Sequence, residues 1–293
     1  MKKKGAPRAT QALQDYFEQR DDVVMAFIFG SRAKAKHRAQ SDWDIAIYFR
    51  PSDKRVEWES DRIYSAEQEI WRDCTEILLT DAIDLVVLNR VAASVADAAL
   101  RGMPLVIKDF GIWLKFMNIV TSAADEYRRF VDEFYAVAQR SQSLMPQDRE
   151  ALQRAVNFLE EQIRLYSVYQ SFNKADFEQD PRKRNEIERW LENIVNAIVD
   201  IAKVILGSKK RTVPLTYREA VARSAREFKL SLEFTTQLER WVKLRNELAH
   251  EYLDMKWERI ADFTRSSEPQ IKMFAEATKK FIAADKKHNA PRK

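Results

Sequence analysis

Val23-Val24-Met25-Ala26-Phe27-Ile28-Phe29-Gly30-Ser31-Arg32 and, after eight intervening residues, Ser41-Asp42-Trp43-Asp44-Ile45-Ala46-Ile47-Tyr48-Phe49 form the stretch whose reading decides the fold. Seven β-branched, aromatic and other apolar residues closed by Gly-Ser read as a buried strand, and Ile45 to Phe49 as a second one. Outward from these, residues 9–19 predict a short helix. Ser60 to Leu79 predicts a longer one, with Ile63, Ile70, Ile77 and Leu78 as its apolar positions. Asp84 to Leu88 predicts a third strand and Leu105 to Ile107 a fourth. Strands alternating with helices imply an α/β or α+β domain built on one main sheet.

From Trp113 onward no strand pattern returns. Residues 113–140 read as a trailing helix of the first domain, and Ser141-Gln142-Ser143-Leu144-Met145-Pro146-Gln147 as a polar, proline-containing linker. Glu150 to Phe172 and Glu186 to Leu206 predict long amphipathic helices, the second with apolar residues at spacings of three and four and Gly207 as its stop. Thr216-Tyr217-Arg218-Glu219 matches a capping box opening a third helix, and a fourth runs from about Ser231 to Leu253. The expected organisation is an α/β (α+β) domain over 1–140, a linker over 141–147, an all-α helical bundle over 148–264, and a basic tail over 265–293.

Composition narrows the function classes. The five glycines, at 5, 30, 102, 111 and 207, cannot be assembled into a P-loop or a dinucleotide-binding spacing. Cys74 is the single cysteine, so neither an internal disulfide nor a thiolate zinc cluster is available, and at mid-helix it reads as a small core residue. The longest apolar run, Val23 to Phe29, is far shorter than the ~20 residues of a membrane helix. The basic start leads into Gln11, Asp15 and Glu18 rather than an apolar stretch, so a cytoplasmic location without membrane contact is expected. The formal net charge is +5, and residues 272–293, with seven Lys+Arg against two Asp+Glu, account for all of it. The tail therefore reads as a solvated, disordered extension, and the overall charge is poor evidence for a nucleic-acid partner.

Gly30 directly after a strand allows a tight turn and close approach of backbone N–H groups to a phosphate, and the Ser31 hydroxyl adds a donor. Asp42 and Asp44, two residues apart at the start of the next strand, project to one side of the sheet. Two such carboxylates suit a hard divalent cation, with triphosphate oxygens completing its shell, although an Asp-x-Asp pair taken alone is as readily a solvent-facing strand end. His37, in the loop between, reads as a solvated residue.

The whole pattern is more specific. Gly30-Ser31 with Arg32-Ala33 after a buried strand, then Ser41-Asp42-Trp43-Asp44 before an apolar strand, resembles the minimal nucleotidyltransferase (MNT) branch of the polymerase-β-like nucleotidyltransferases over roughly residues 10–140. The resemblance implies transfer of a nucleoside monophosphate from ATP to an acceptor hydroxyl with Mg2+, and phosphate contacts at Gly30, Ser31 and Arg32. It also implies a third carboxylate that helps hold metal and deprotonates the acceptor. Asp84 fits that place, while its competitor Asp81 reads as a helix cap.

The last bundle helix carries Arg245-Asn246-Glu247-Leu248-Ala249-His250-Glu251-Tyr252. Asn246 and His250 share a helix face, and Arg245 and Tyr252 an adjacent one. Histidine can act as general base or acid, arginine can hold a phosphoryl oxyanion and asparagine can orient either, which suits metal-free RNA cleavage by the ribose 2′-OH. An ordinary polar helix surface is the other reading of these residues alone. A bundle bearing Arg-Asn-x-x-x-His-x-Tyr resembles the toxin branch of the HEPN (higher eukaryotes and prokaryotes nucleotide-binding) superfamily over about residues 148–264. That resemblance implies a metal-independent endoribonuclease acting on RNA where two HEPN domains meet, hence a homodimer. It also implies that Tyr252 accepts AMP from the nucleotidyltransferase, so that toxin and antitoxin stand in one chain. Two competing readings are an aminoglycoside-type small-molecule nucleotidyltransferase with a helical substrate domain, and a non-catalytic docking bundle.

Overall fold

The computed structural model describes residues 6–33, 41–52, 55–140, 144–251 and 257–288. The chain divides into two compact units, residues 1–125 and 126–293. The first holds α1 (Ala6–Glu18), β1 (Val23–Phe29), α2 (Gly30–Ala33), β2 (Trp43–Phe49), α3 (Glu67–Leu78), β3 (Ile83–Val87), α4 (Ala93–Leu100), β4 (Met103–Ile107) and the start of α5 (Phe110–Ala138). The sheet order is β3-β2-β1-β4, with β1 antiparallel to both neighbours and β2 parallel to β3.

As the central strand with helices on both sides, β1 reads as a continuous apolar run rather than an alternating one. Val23, Ala26 and Ile28 pack with Leu13 and Phe17 of α1 and Ile70 and Cys74 of α3. Val24, Met25 and Phe27 pack with Ala93, Ala96 and Ala99 of α4 and Phe116 and Val120 of α5. The break in alternation at Val24-Met25 coincides with a register irregularity between Val23 and Met25. Cys74 is fully buried, as a core residue should be, and burial pushes its thiol up to about 12.

The helix expected from Ser60 begins only at Glu67, and Ile63, expected on its apolar face, is 88% exposed. Tyr64 instead stacks on Phe49, with ring centroids 4.5 Å apart, and holds the preceding segment in an irregular path. Asp81 caps no helix; it is exposed in the turn between α3 and β3.

The second unit is helical among its described residues: the end of α5, then α6 (Pro146–Ile163), α7 (Tyr166–Gln170), α8 (Lys174–Gln179), α9 (Pro181–Ser208), α10 (Tyr217–Glu227), α11 (Leu232–Glu251), α12 (Trp257–Ser266) and α13 (Glu268–His288). Residues expected as one helix over 150–172 form two, because Tyr166 and Tyr169 turn inward onto Trp190, with centroids 4.7 and 4.5 Å from it. In α9 the start moves upstream to Pro181, where Asp180 accepts from the N–H groups of Arg182 and Lys183. Thr216 accepts from the Glu219 N–H and opens α10 as expected. α6 begins at Pro146, within the segment expected as a linker, and residues 141–143 lie outside the described residues.

Two expectations are corrected. Gly207 does not stop α9; it lies inside the helix, and a Cβ there would stand 3.0 Å from the Val137 side chain of α5. Its smallness lets two helices approach, and Lys210 takes the left-handed conformation instead, at φ 51°. The expected basic extension is largely α13, whose Ile271, Phe274, Ala275 and Ile282 are buried in the bundle core while Lys272 and Lys280 face outward. Counting charges hid a three-and-four spacing of apolar residues. Among the described residues no helix is long and apolar enough to cross a membrane.

Replacing Gly207 by Val should therefore overpack the α5–α9 contact and destabilise the second unit by about 1–3 kcal/mol. Thermal unfolding of the full chain should show a lowered transition, with a much smaller change for Lys210→Gly.

Candidate active sites

In the first unit, β-sheet register gathers the carboxylates. Asp44 lies opposite Phe29 across the β1–β2 pair and opposite Asp84 across the parallel β2–β3 pair. Gly30 follows Phe29 with φ +66°, and a Cβ on it would stand 2.1 Å from Asp44 Oδ2. Only a glycine leaves room for that carboxylate. The Ser31 backbone N–H donates to Asp44, while burial, then the Asp84 and Asp42 carboxylates, push the Asp44 carboxyl above its usual range. Strand register sets Asp84 beside Asp44, and Asp42 precedes Asp44 by two residues at the entry of β2.

Arg32 is engaged with the same loop. Its Nε donates to the carbonyls of Ser41 at 2.7 Å and Asp42 at 3.0 Å, and its guanidinium lies 4.3 Å from the Trp43 ring centroid. It thereby fixes the approach of Asp42 to β2. His37 lies outside the described residues. Asp84 is exposed on the edge strand, beside an open groove of about 1030 Å³ lined by Glu67, Trp71, Ile83 and Leu85 among others. An all-oxygen donor set carrying mutual repulsion suits Mg2+. Among the described residues no three His, Cys, Asp or Glu side chains form a ready-made cage. Mg2+ usually takes one or two carboxylates and completes its shell with water and substrate phosphates.

In the second unit, Arg245 and Asn246 of α11 are buried, at 7% and 4% exposure, and His250 lies one turn further along. Arg245 and His250 meet on a residue the sequence analysis missed, Glu126 of α5. Arg245 Nη1 donates to Glu126 Oε2 at 3.1 Å and Nη2 to Oε1 at 2.5 Å, a bidentate fork. His250 Nε2 is 3.5 Å from Glu126 Oε2, and Arg245 Nη1 is 3.4 Å from Asn246 Oδ1. Arg245 Nε is buried with no hydrogen-bond partner among the described residues. The Tyr217 ring lies 5.8 Å from the Arg245 guanidinium carbon. Burial pushes the Glu126 carboxyl up, but hydrogen bonds and charge from His250 and Arg245 outweigh it and hold it at about 2. Glu126 stands 119 residues before Arg245, and no local motif marks it. Tyr252 lies outside the described residues.

Comparison with known proteins finds a family match within each unit. The family described as polymerase beta, nucleotidyltransferase matches residues 11–110, and the family described as ribonuclease HepT-like matches residues 152–278. The second match runs through α12 into α13, past the end expected at 264. No curated protein matches the chain. Both sequence resemblances are borne out at the level of the domain.

A carboxylate held at about 2 against an ordinary value of 4.5 stabilises the fold fully above pH ~4.5, and that stabilisation fades as pH falls toward 2. Between pH 6 and pH 3 the melting temperature of the wild-type chain should fall more steeply than that of Glu126→Gln. Over this window the difference should amount to at most about 2 kcal/mol.

Proposed function

We propose that this chain, which joins a polymerase-β-like nucleotidyltransferase domain to a HepT-like (HEPN) ribonuclease domain, is a toxin–antitoxin-like fusion that regulates itself by AMP transfer. The observation that carries the first half is the register of Asp44 with Asp84 across β2–β3, with Asp44 set against Gly30 and accepting from the Ser31 N–H. Asp42, Asp44 and Asp84 would hold Mg2+, which supplies charge neutralisation for the triphosphate and its leaving group. Gly30 and Ser31 receive the phosphates of ATP, with Arg32 steadying the Asp42 loop. Asp84, open to the groove, takes the proton of the acceptor hydroxyl as that oxygen bonds to the α-phosphorus. The bond from the α-phosphorus to the β-phosphate oxygen breaks, and pyrophosphate departs.

The acceptor in this reading is the phenol of Tyr252, two residues after His250. In the second domain His250 takes the proton of an RNA 2′-OH as that oxygen bonds to the adjacent phosphorus, and Arg245, oriented by Asn246, steadies the phosphoryl oxygen that gains charge while the bond to the 5′-oxygen breaks and that oxygen is protonated. One Arg245/His250 set supplies a single proton-transfer group where strand cleavage needs a base and an acid. The working nuclease is accordingly a homodimer with two sets at its interface. AMP on Tyr252 would add a negative charge and a bulky nucleoside two residues along the chain from His250, which in this reading repels and obstructs the RNA backbone.

Intact-mass measurement after incubation with ATP and Mg2+ should show added AMP units, lost in Asp42→Ala/Asp44→Ala and in Tyr252→Phe. Label retained in Tyr252→Phe at the wild-type level would remove that residue from the mechanism. A small molecule modified in place of the chain would favour the antibiotic-type enzyme. Sedimentation of nuclease-active protein should show a dimer, and a purely monomeric active species would refute the shared cleft.

A further inference from the structure

Glu126 falls between the two matched regions, 11–110 and 152–278, on a helix that begins in the first unit and ends in the second. Its two carboxylate oxygens take both terminal nitrogens of Arg245 and lie against Nε2 of His250. A phosphodiester in the cleavage site would need these same donors, because a guanidinium fork binds carboxylate and phosphate in the same planar, bidentate way. We propose that Glu126 is a built-in competitor of the RNA phosphate, closing the Arg245/His250 site until substrate displaces it. The inference rests on the reading of Arg245 and His250 as the RNA-cleaving pair.

The two partners are unequal in a way that makes displacement feasible. The Arg245 side chain is 8% exposed and cannot reach water without leaving the helix packing, whereas the Glu126 side chain is 26% exposed and can turn outward. The Arg245 charge therefore stays in place while its counter-ion is exchanged, so the buried cation is never left uncompensated. Arg245 Nε, buried and without a hydrogen-bond partner among the described residues, is a donor that Glu126 does not take. An incoming phosphate can take Nε together with one terminal nitrogen, a side-on fork that Glu126 does not make. RNA thus gains a donor that the resident carboxylate leaves unused.

The test uses the full chain and a single-stranded 2′-O-methyl RNA of mixed sequence, which lacks the nucleophilic hydroxyl and cannot be cut. Glu126→Gln should bind it at least about ten-fold tighter than wild type, the scale of one close charge pair removed from competition. Glu126→Asp, with the charge kept but the reach shortened, should fall between. The gain should vanish in Glu126→Gln/Arg245→Ala, which separates the clamp from a general loss of negative charge. Equal or weaker binding by both Glu126 variants in chains that melt cooperatively would overturn the proposal, as would a gain that persists without Arg245. Failure of both single variants to fold would make Glu126 a purely structural counter-ion and overturn it too. If Arg245→Ala alone binds RNA as wild type does, the nuclease-site reading has failed rather than the clamp.

Discussion

Strand β1 is paired along both edges and covered on both faces, and from this double enclosure the placement of the first site follows. Each fully buried aliphatic or aromatic side chain contributes about 1.5–3 kcal/mol, so a slip of one residue would exchange the two packed faces at a large cost. With register held this firmly, Asp44 must stand beside Phe29 and the turn that follows it. The parallel pairing of β3 then sets Asp84 next to Asp44. The sheet thereby holds together carboxylates that repel one another, since burial of the strand outweighs their mutual repulsion. Gly30 is the local condition for this arrangement, because its missing side chain is the space that Asp44 occupies.

The second unit solves a different problem, that of keeping a nearly buried guanidinium on a helix. Arg245 is compensated by Glu126, and the pair is stable because both terminal nitrogens and both carboxylate oxygens are used. The aromatic packing of Trp190, Tyr166, Tyr169 and Phe263 fixes the bundle at some distance in sequence from this ion pair. The ionic contact is therefore laid onto a scaffold that hydrophobic burial already specifies. The guanidinium is placed where water competes little for it, which is where a charge-assisted hydrogen bond is strongest.

Much of this was legible from local patterns. The apolar run 23–29, the Gly-Ser turn, the Asp-x-Asp spacing and the Arg-Asn-x-x-x-His cluster each lie within a few residues, so short-range periodicity and side-chain chemistry suffice to read them. The same logic misplaced Ile63, because Tyr64 stacks on Phe49 and breaks the helix that apolar spacing suggests. It misread Gly207, whose role depends on Val137 in another helix, and it took α13 for a solvated tail because its lysines outnumber its acids.

By itself the sequence determined the four strands, the helical character of the second half, the two-domain order, and the residue types able to bind phosphate, hold a cation or move a proton. These are properties of residues close in the chain, carried by periods of two and 3.6 and by the conformational freedom of glycine. Only the tertiary structure decided that Asp84 stands in register with Asp44 across the β2–β3 pair, that Arg32 braces the Asp42 loop, and that Glu126 meets Arg245 and His250. Those pairings are set by strand register and helix packing, which balance burial over a whole domain and leave no trace in the spacing of the residues they bring together.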